Sequence, residues 1–378
     1  MTDAEAWQGF EQGPIRPPSE SDSLLVRVTR GCPWNRCTFC GLYKQESFSR
    51  RPVAEVLKDI DLIRGHVEQM RGGNAEAAGA PVLEDGDWRG QMAVQAARHW
   101  LHHGCRSVFL QDSNSLIVSP DDLVTILHHL RSAFPEIERI TSYARSQTVA
   151  RISDHDLGRL AAAGLNRLHI GLESGSDQVL ARVRKGADKA THIQAGCKVQ
   201  QAGIELSEYV MPGLGGRELS REHALESADA LNQIDPDFIR LRTLTVPDNI
   251  ELARDRDLGQ FTPMGDREIA GELLLFVRSL DGIASQVKSD HILNLFEEID
   301  GRLPGDRERM ARVIERFLAM APAEQVLYQI GRRTGVFRRL DDIHEPVRRR
   351  HAQQYVDRFG ATPANVDAIC ETLKQRFI

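Results

Sequence analysis

The sequence predicts an α/β fold in which parallel strands alternate with helices, followed by a purely helical region. Between about residues 24 and 246, short strand-like runs alternate with segments whose apolar residues recur at helical spacing. Strict alternation of this kind requires right-handed crossovers and therefore a parallel sheet. After about residue 250 only helical periodicity continues. The chain is therefore expected to combine a strand-and-helix core with a helical extension.

Composition excludes several function classes. The chain has 378 residues, a formal net charge of −6, 27% charged residues and 41% hydrophobic residues, which is typical of a soluble globular protein. It shows no apolar run of the roughly 18–20 residues that span a bilayer. A mildly acidic chain without a Lys/Arg block is not expected to bind nucleic acid generally. The N-terminus lacks the basic region and apolar core of a secretory signal. We expect a cytoplasmic protein that does not bind membranes.

The first elements can be assigned in chain order. Residues 1–22 are polar and contain PIRPPSE, which is typical of a tail or an extended strap. LLVRVT (24–29) predicts the first strand, and a cysteine-containing loop separates it from a helix over 53–70. The Gly- and Ala-rich segment 72–90 predicts a mobile loop, and a helix over 91–103 follows it.

The remaining elements continue the same rhythm. Five further strands are predicted at 107–112, 139–144, 166–173, 204–211 and 237–246. Helices are predicted between them at 121–134, 154–164, 176–184, 189–202 and 222–234. Four more helices are predicted at 266–280, 289–299, 307–321 and 364–377. Six βα units suit an open doubly wound sheet or a partial barrel. We expect an N-terminal tail (1–22), a core (23–247) and a helical extension (248–378).

Three of the six cysteines lie on one loop directly after the first strand. Cys32, Cys37 and Cys40 form a C-x4-C-x2-C pattern, and three thiolates on one loop point to a metal ion or a cluster. Structural zinc would need a fourth ligand, and the sequence offers only Cys105, which precedes the second strand at its opposite end. Three cysteines without a fourth favour a [4Fe–4S] cluster with one open iron.

The other three cysteines are scattered. Cys105, Cys197 and Cys370 are expected to be small buried apolar side chains. A second cluster would need three or four grouped cysteines, so a single cluster is expected.

The cysteine loop, its place after the first strand and the six βα units resemble the radical S-adenosylmethionine (radical SAM) superfamily. The usual signature there is C-x3-C-x2-C with an aromatic residue before the third cysteine. This chain has Phe39 at that position and one extra residue in the first gap. The resemblance covers about residues 22–246. It implies a partial (β/α)6 TIM-like barrel with a C-terminal helical extension, and a [4Fe–4S] cluster and S-adenosyl-L-methionine (SAM) as cofactors.

The resemblance also implies residues that bind SAM. LHIGLESGSDQVL (168–180) resembles the segment in which Glu173 and Ser174 would approach the ribose and the amino-acid part of SAM. EYVMPGLGG (208–216) resembles the segment whose glycines, here Gly213 and Gly215, let the backbone approach the adenine. The remaining candidates are Gln111 and Asp112, for the SAM amino group, and Arg145, for its carboxylate.

Alternation along the strands places some polar side chains on an inward face. His169 shares a face with Glu173, and Tyr209 lies on the polar face of the fifth strand. Both His169 and Tyr209 are candidates for relaying a proton or a hydrogen atom, and the alternative is hydrogen-bonded barrel filling.

Two arginines of the sixth strand leave a further alternative open. Arg240 and Arg242 either form structural ion pairs with Glu205 and Glu208 or clamp an anionic substrate through a carboxylate or phosphate.

The resemblance implies a reaction but no substrate. Such an enzyme cleaves SAM reductively at its cluster and forms a 5′-deoxyadenosyl radical, which abstracts hydrogen from a substrate not identified by the sequence. It is oxygen-sensitive and takes its electron from a small donor such as flavodoxin or ferredoxin. The alternative is a non-catalytic binding or sensor protein, stapled by zinc or a cluster on a βα scaffold.

Overall fold

A computed structural model describes residues 7–72 and 87–375 of the chain. The chain divides into two compact units. Unit 1 comprises Met1–Asn35, Leu42–Ile170 and Cys197–Leu206, and unit 2 comprises Arg36–Gly41, Gly171–Gly196 and Ser207–Ile378. This division does not follow the predicted boundary at residues 247 and 248. The organisation into tail, core and helical extension stays a prediction.

The α/β class is confirmed. The described residues contain ten strands: β1 Leu24–Arg27, β2 Thr29–Arg30, β3 Ser49–Arg50, β4 Ser107–Gln111, β5 Arg139–Ala144, β6 Arg167–Glu173, β7 Glu205–Val210, β8 Phe238–Leu241, β9 Gln286–Lys288 and β10 Gly301–Arg302. Eight of them form a mostly parallel sheet in the order β1-β4-β5-β6-β7-β8-β9-β10, and β2 pairs with β3.

Fourteen α-helices lie within the described ranges. They are α1 Val53–Met70, α2 Trp88–His102, α3 Pro120–Ala133, α4 Ser146–Arg151, α5 Asp154–Ala162, α6 Asp177–Arg182, α7 Lys189–Gln201, α8 Gly216–Ile234, α9 Glu251–Asp257, α10 Asp266–Ser279, α11 Arg307–Ala319, α12 Pro322–Arg333, α13 Pro346–Phe359 and α14 Val366–Lys374. The predicted helix 53–70 coincides with α1. Of the predicted loop 72–90, residues 73–86 lie outside the described residues.

Unit 1 is built on parallel pairing of its strands. In β1 and β4, Leu24 lies opposite Val108 and the register continues to Arg27 opposite Gln111. Because the strands are parallel, the residues that follow β1, β4 and β5 lie at one edge of the sheet, and the residues that precede them lie at the other. Helices cover the apolar faces, and Trp100 of α2 contacts Phe134 edge to face, with ring centroids 4.7 Å apart.

The N-terminal segment is a strap bound to unit 1. The indole nitrogen of Trp7 donates a hydrogen bond of 2.8 Å to Asp59 of α1. Farther along, the strap is buried at Phe10 and Glu20. The described part of this segment therefore contacts unit 1, and we call it the strap.

Unit 2 continues the parallel order and adds helices. Ser207 of β7 lies opposite Phe238 of β8, which in turn lies opposite Gln286 of β9. A single apolar cluster joins these strands to α8 and α10–α13, with the rings of Phe317 and Tyr328 at its centre. Burial of this apolar surface stabilises the helical region against its strands.

Two expectations for the C-terminal region are wrong. Strands β9 and β10 occur after residue 246, where none was expected, and the predicted helix over 289–299 does not form. That segment is held by side-chain hydrogen bonds instead, because the Asn294 amide accepts from the Thr243 backbone N–H (2.9 Å) and donates to the Leu241 carbonyl (2.8 Å). A polar side chain thus takes the place of helical backbone bonding.

Candidate active site

In unit 1, the cysteine loop begins with a turn that glycine makes possible. Gly31, which precedes Cys32, has φ +75°, a conformation that disfavours residues with a Cβ. Its N–H donates a hydrogen bond of 3.2 Å to the Asp112 carboxylate, and its carbonyl accepts one of 3.1 Å from the Ser113 hydroxyl. The position of Cys32 is therefore set by the residues that follow β4.

Asp112 is the hub of these contacts. Its buried carboxylate also accepts hydrogen bonds from Nε of Arg27 (2.9 Å) and from the hydroxyl of Tyr43 (2.8 Å). Burial raises the pKa of Asp112, and the positive charge of Arg27 opposes this rise. The predicted role of Asp112 toward the SAM amino group stays a prediction, and the observed contacts give it a positioning role.

Gln111, the other candidate on this strand, contacts the strap. Its side-chain oxygen accepts from the Gly13 N–H (2.8 Å), and its amide donates to the carbonyls of Gly13 (2.9 Å) and Ile15 (2.6 Å). This amide therefore fixes the strap at the end of β4, while its predicted contact with SAM remains untested.

Arg145 follows β5 and contacts the cysteine loop within unit 1. Its guanidinium lies over the ring of Trp34, 5.0 Å from the centroid, and its backbone N–H donates to the Asn114 side chain (3.0 Å). A cation–π contact of this kind orients the arginine toward the residues between Cys32 and Cys37.

The second half of the loop is fixed in unit 2 through Thr38. The Thr38 N–H donates to the Val183 carbonyl (3.0 Å), and its carbonyl accepts from Leu252 (2.9 Å). The adjacent Phe39 packs against an apolar cluster, and Nζ of Lys185 lies 5.9 Å from its ring centroid. The predicted aromatic residue thus anchors the loop to its surroundings.

The six cysteines fall into two groups by exposure. Cys32, Cys37, Cys40 and Cys197 are partly exposed, whereas Cys105 and Cys370 are buried. Cys105 precedes β4, so it lies at the amino end of the unit 1 strands, whereas Cys32 lies beyond their carboxyl ends. It is therefore placed as a buried apolar side chain, and burial raises its pKa. The zinc alternative gains no fourth ligand from it.

Glu173 ends β6 in a left-handed conformation, with φ +60°. Its carboxylate pairs with Nζ of Lys185 at 3.0 Å. Nearby in unit 2, Glu208 is fully buried. Burial raises the pKa of Glu208 well above its usual value; the Lys185 charge lowers it and the Glu173 charge raises it further. Burial thus favours the protonated form of Glu208.

The segments after β6 and β7 share one buried network in unit 2. The hydroxyl of Ser174 lies 2.8 Å from Nδ1 of His223, whose Nε2 lies 3.7 Å from the Glu272 carboxylate. That carboxylate accepts from the Gly213 N–H (2.7 Å) and the Ser220 hydroxyl (2.6 Å). The sequence analysis missed His223 and Glu272, because they lie on helices with no local motif to mark them.

The two predicted glycines have local steric reasons to be glycine. Gly213 has φ +90°. A Cβ at Gly215 would lie 2.9 Å from the backbone of Leu219. The loop after β7 therefore needs both glycines, and their contact with adenine stays a prediction.

The two candidate relay residues have different surroundings. His169 is buried, and its Nε2 lies 3.2 Å from the Glu20 carboxylate of the strap, within unit 1. The pKa of Glu20 is lowered: burial raises it, but the hydrogen bond and charge of His169 outweigh that effect. Tyr209 is half-buried on β7, opposite Arg240 of β8. Neither predicted role is tested by these contacts.

Arg240 in β8 and Arg242 just after it are not paired with Glu205 or Glu208, which was one of the two alternatives for these arginines. Arg240 pairs with Asp290, Glu205 pairs with Arg167 at 2.8 Å, and Arg242 is exposed. Asp290 belongs to the segment that replaces the expected helix, which is why alternation alone could not identify it as a partner.

Comparison with known proteins gives distant relatives. No protein-family model matches the chain. A tRNA uridine(34) acetyltransferase from Methanocaldococcus infernus is 21% identical over 154 residues, 38% of this chain and 29% of the relative. A 4′-phospho-dehydrooxetanocin synthase from Priestia megaterium is 24% identical over 217 residues, 55% of this chain and 26% of the relative. The chain thus spans about a quarter of each curated relative.

Two solved structures to which the chain is similar are described as radical SAM enzymes. The Escherichia coli coproporphyrinogen III oxidase is 15% identical, with a TM-score of 0.45 over 68% of this chain and 52% of that one. The radical SAM methyltransferase TsrM from Kitasatospora setae, with cobalamin and a [4Fe–4S] cluster bound, is 15% identical, with a TM-score of 0.44 over 93% and 65%. For this chain, the radical SAM resemblance and the cofactors expected from it stay predictions.

Membrane insertion was also not expected. None of the helices among the described residues has the length and apolar character needed to cross a bilayer.

Proposed function

We propose that the chain is a radical SAM enzyme that holds one [4Fe–4S] cluster on Cys32, Cys37 and Cys40. The observation that carries the proposal is the loop itself. Three partly exposed thiols lie within nine residues, directly beyond the carboxyl end of a parallel strand, while the buried cysteines lie elsewhere. Soft thiolates are the ligands that iron–sulfur clusters use, and three of them leave one iron open.

The donor set and its support fit a cluster. Asp112 and Ser113 fix the backbone before Cys32, and contacts of Thr38 with Val183 and Leu252 fix the backbone between Cys37 and Cys40. All three thiols are partly exposed. Within the loop, Sγ of Cys32 accepts a hydrogen bond of 3.4 Å from the Asn35 N–H.

The chain's own residues would orient SAM. Arg145, already turned toward Trp34 of the loop, would bind the carboxylate of SAM as a fixed guanidinium. Glu173, which pairs with Nζ of Lys185, would accept hydrogen bonds from the ribose hydroxyls. Ser174, Gly213 and Gly215 would form the adenosine side of the site. Phe39 and its apolar cluster would exclude water from the loop.

The bound groups would supply the radical. A small donor such as flavodoxin or ferredoxin would supply one electron, which would reach the SAM sulfonium through the cluster. Cleavage of the C5′–S bond would then give methionine and a 5′-deoxyadenosyl radical, which would take a hydrogen atom from the substrate. We propose Tyr209 as a candidate to relay hydrogen to or from the substrate. His169, whose ring bonds to Glu20, is the second candidate.

We also propose that the sheet forms a partial (β/α)6 TIM-like barrel. The parallel strands β1, β4, β5, β6, β7 and β8 follow one another in chain order. An open doubly wound sheet reverses its strand order at a switch point, whereas a barrel does not. Residues 248–378 would then supply the helical extension, and the substrate, anionic or otherwise, would bind at the carboxyl ends of the strands.

Cluster loading tests the ligand assignment. Anaerobic reconstitution with iron and sulfide is expected to give about four iron and four sulfide per chain. Cys32→Ala, Cys37→Ala and Cys40→Ala should each lose that content, whereas Cys197→Ala, which removes another partly exposed thiol, should retain it. A colourless protein that binds stoichiometric zinc through the same three cysteines would refute the cluster and favour the non-catalytic alternative.

A further inference from the structure

A second group of metal-ligating side chains lies in unit 1, at the amino end of its strands. Asp22, His99 and His103 each place one ligand atom within 4.8 Å of the others. Among the described residues, this is the set of three His, Cys, Asp or Glu side chains that meets that limit. We propose that these three residues bind a divalent transition metal ion of the zinc class, independently of the cysteine loop.

The topology explains why these residues meet. Asp22 precedes β1, and His99 and His103 end the helix that precedes β4. Since β1 and β4 are parallel, both segments lie at the same edge of the sheet, and a hydrogen bond of 2.9 Å between the hydroxyls of Ser23 and Ser107 joins them. This edge is opposite to the one that carries Cys32.

Each of the two imidazoles makes one hydrogen bond to a backbone carbonyl. Nδ1 of His103 lies 2.8 Å from the His99 carbonyl, and Nε2 of His99 lies 2.9 Å from the Ser21 carbonyl. In the neutral state each ring donates its N–H to that carbonyl and keeps a lone pair on its other nitrogen. Metal-binding histidines typically have this outer hydrogen bond, which fixes the tautomer and the ring plane.

The third ligand is close to the second ring. Nε2 of His103 lies 3.6 Å from Oδ1 of Asp22. Ligands bound at about 2.0–2.2 Å to a tetrahedral ion lie a little over 3 Å apart, so closure needs only small rotations of these side chains. Two imidazoles and one carboxylate suit Zn²⁺, Co²⁺ or Ni²⁺ rather than Mg²⁺ or Ca²⁺, which prefer oxygen ligands alone.

A neighbouring cavity leaves room for a fourth ligand. It has a volume of about 200 Å³ and is lined in part by His99, Arg16, Gln95 and Ser23. Asp22 follows the buried Glu20 and directly precedes β1. A metal ion bound by Asp22, His99 and His103 would therefore hold the strap to the end of α2. Metal binding is therefore expected to stabilise the strap.

Zinc binding by the full-length chain tests the site. Because loop cysteines also bind zinc, the titration against a chromophoric chelator is run on the cluster-loaded protein and on a Cys32→Ala/Cys37→Ala/Cys40→Ala variant. Both are expected to bind one Zn²⁺ per chain. His103→Ala should weaken it by ~100-fold and Asp22→Asn by at least ~10-fold. His102→Ala, which removes an adjacent exposed imidazole outside the set, should leave the affinity unchanged.

Cobalt distinguishes the two kinds of site. Co²⁺ bound to the three-cysteine variant should show visible d–d absorption without thiolate-to-metal charge-transfer bands, and His103→Ala should remove that absorption. If the variant binds no metal, or if its metal affinity is unaffected by His103→Ala and Asp22→Asn, the inference is wrong. Neither result bears on the cluster, whose loading is measured separately.

Discussion

The backbone N–H of Gly31 donates a hydrogen bond of 3.2 Å to the buried carboxylate of Asp112, one residue before the first cysteine of the loop. The same carboxylate accepts from Tyr43, which follows the last cysteine of the loop by three positions. In unit 1, one acid thus holds both the approach to the loop and the residue beyond it.

Asp112→Asn is expected to lower cluster content more than Tyr43→Phe does. Asparagine lacks the negative charge that pairs with Arg27 and has one hydrogen-bond acceptor fewer, which lowers the free energy of unfolding by about 1–3 kcal/mol. Phenylalanine lacks only one hydrogen bond, worth about 1 kcal/mol. Iron and sulfide content after reconstitution, with urea unfolding of each apoprotein, measures both effects. Asp121→Asn, on the exposed end of α3, is the control. Equal cluster content in wild type and Asp112→Asn would exclude the positioning role.

Glu208→Gln is expected to stabilise the protein, increasingly so as pH rises. The raised pKa means that folding keeps Glu208 protonated while the unfolded chain ionises it, so stability falls as pH rises from the unfolded pKa toward the folded one. Glutamine removes that penalty and conserves the shape. Denaturant unfolding between about pH 5 and pH 8 measures the difference. Glu205→Gln on the same strand breaks the part-buried pair with Arg167 and should not stabilise the protein. A pH-independent effect of Glu208→Gln on stability would contradict the raised pKa of Glu208.

Glu272→Gln is expected to weaken SAM binding through the loop after β7. The carboxylate holds the Gly213 N–H and the Ser220 hydroxyl, so its replacement by a neutral amide frees a loop that would contact adenosine. Equilibrium dialysis of SAM against the reconstituted protein should show a loss of ~10-fold, consistent with about 1.4 kcal/mol. Glu308→Gln, exposed on α11, provides the comparison. If Glu272→Gln changes neither the affinity for SAM nor the stability of the protein, the hydrogen bonds of Glu272 do not support the SAM site.

Asp266→Asn is expected to destabilise unit 2 strongly. The buried Asp266 pairs bidentately with Arg333 at 2.6 and 3.0 Å and with Lys374 at 3.3 Å. Its replacement leaves the buried Arg333 without its anion, whereas Lys374 keeps Glu371 at 3.3 Å. The expected loss is about 3–5 kcal/mol. Thermal and urea unfolding measure it, with Asp281→Asn as control because its exposed pair with Arg307 is worth at most about 1 kcal/mol. If Asp266→Asn lowers the free energy of unfolding by no more than Asp281→Asn does, this account of the buried charges around Asp266 is wrong.

Local patterns identified the elements that depend on local periodicity. Both ends of helix α1 were predicted correctly, because apolar residues at helical spacing begin directly after Pro52 and continue to Met70. Strand β9 was missed because it has only three residues, of which only Val287 is buried. Such a short strand shows no recognisable alternation of apolar and polar residues. The segment 289–299 was misassigned because Asn294 bonds to β8, a contact across about fifty residues.

The candidate site divides in the same way. The three cysteines and Phe39 are visible in sequence because their spacing on one loop is itself the signal. The partners of Asp112 lie 69 and 85 positions away, and the contact between His223 and Glu272 joins two helices. Such pairs arise from tertiary packing, so single-sequence reasoning placed Asp112 at a strand end but could not foresee what it binds.

Reductive cleavage of SAM tests the central claim most directly. The reconstituted protein is incubated anaerobically with dithionite and SAM, and 5′-deoxyadenosine is quantified by chromatography. We predict 5′-deoxyadenosine from wild type and from Cys197→Ala, and none above background from Cys32→Ala, Cys37→Ala or Cys40→Ala. A wild-type protein that carries its full iron and sulfide yet releases no 5′-deoxyadenosine would contradict the account, as would release that survives in the three loop variants.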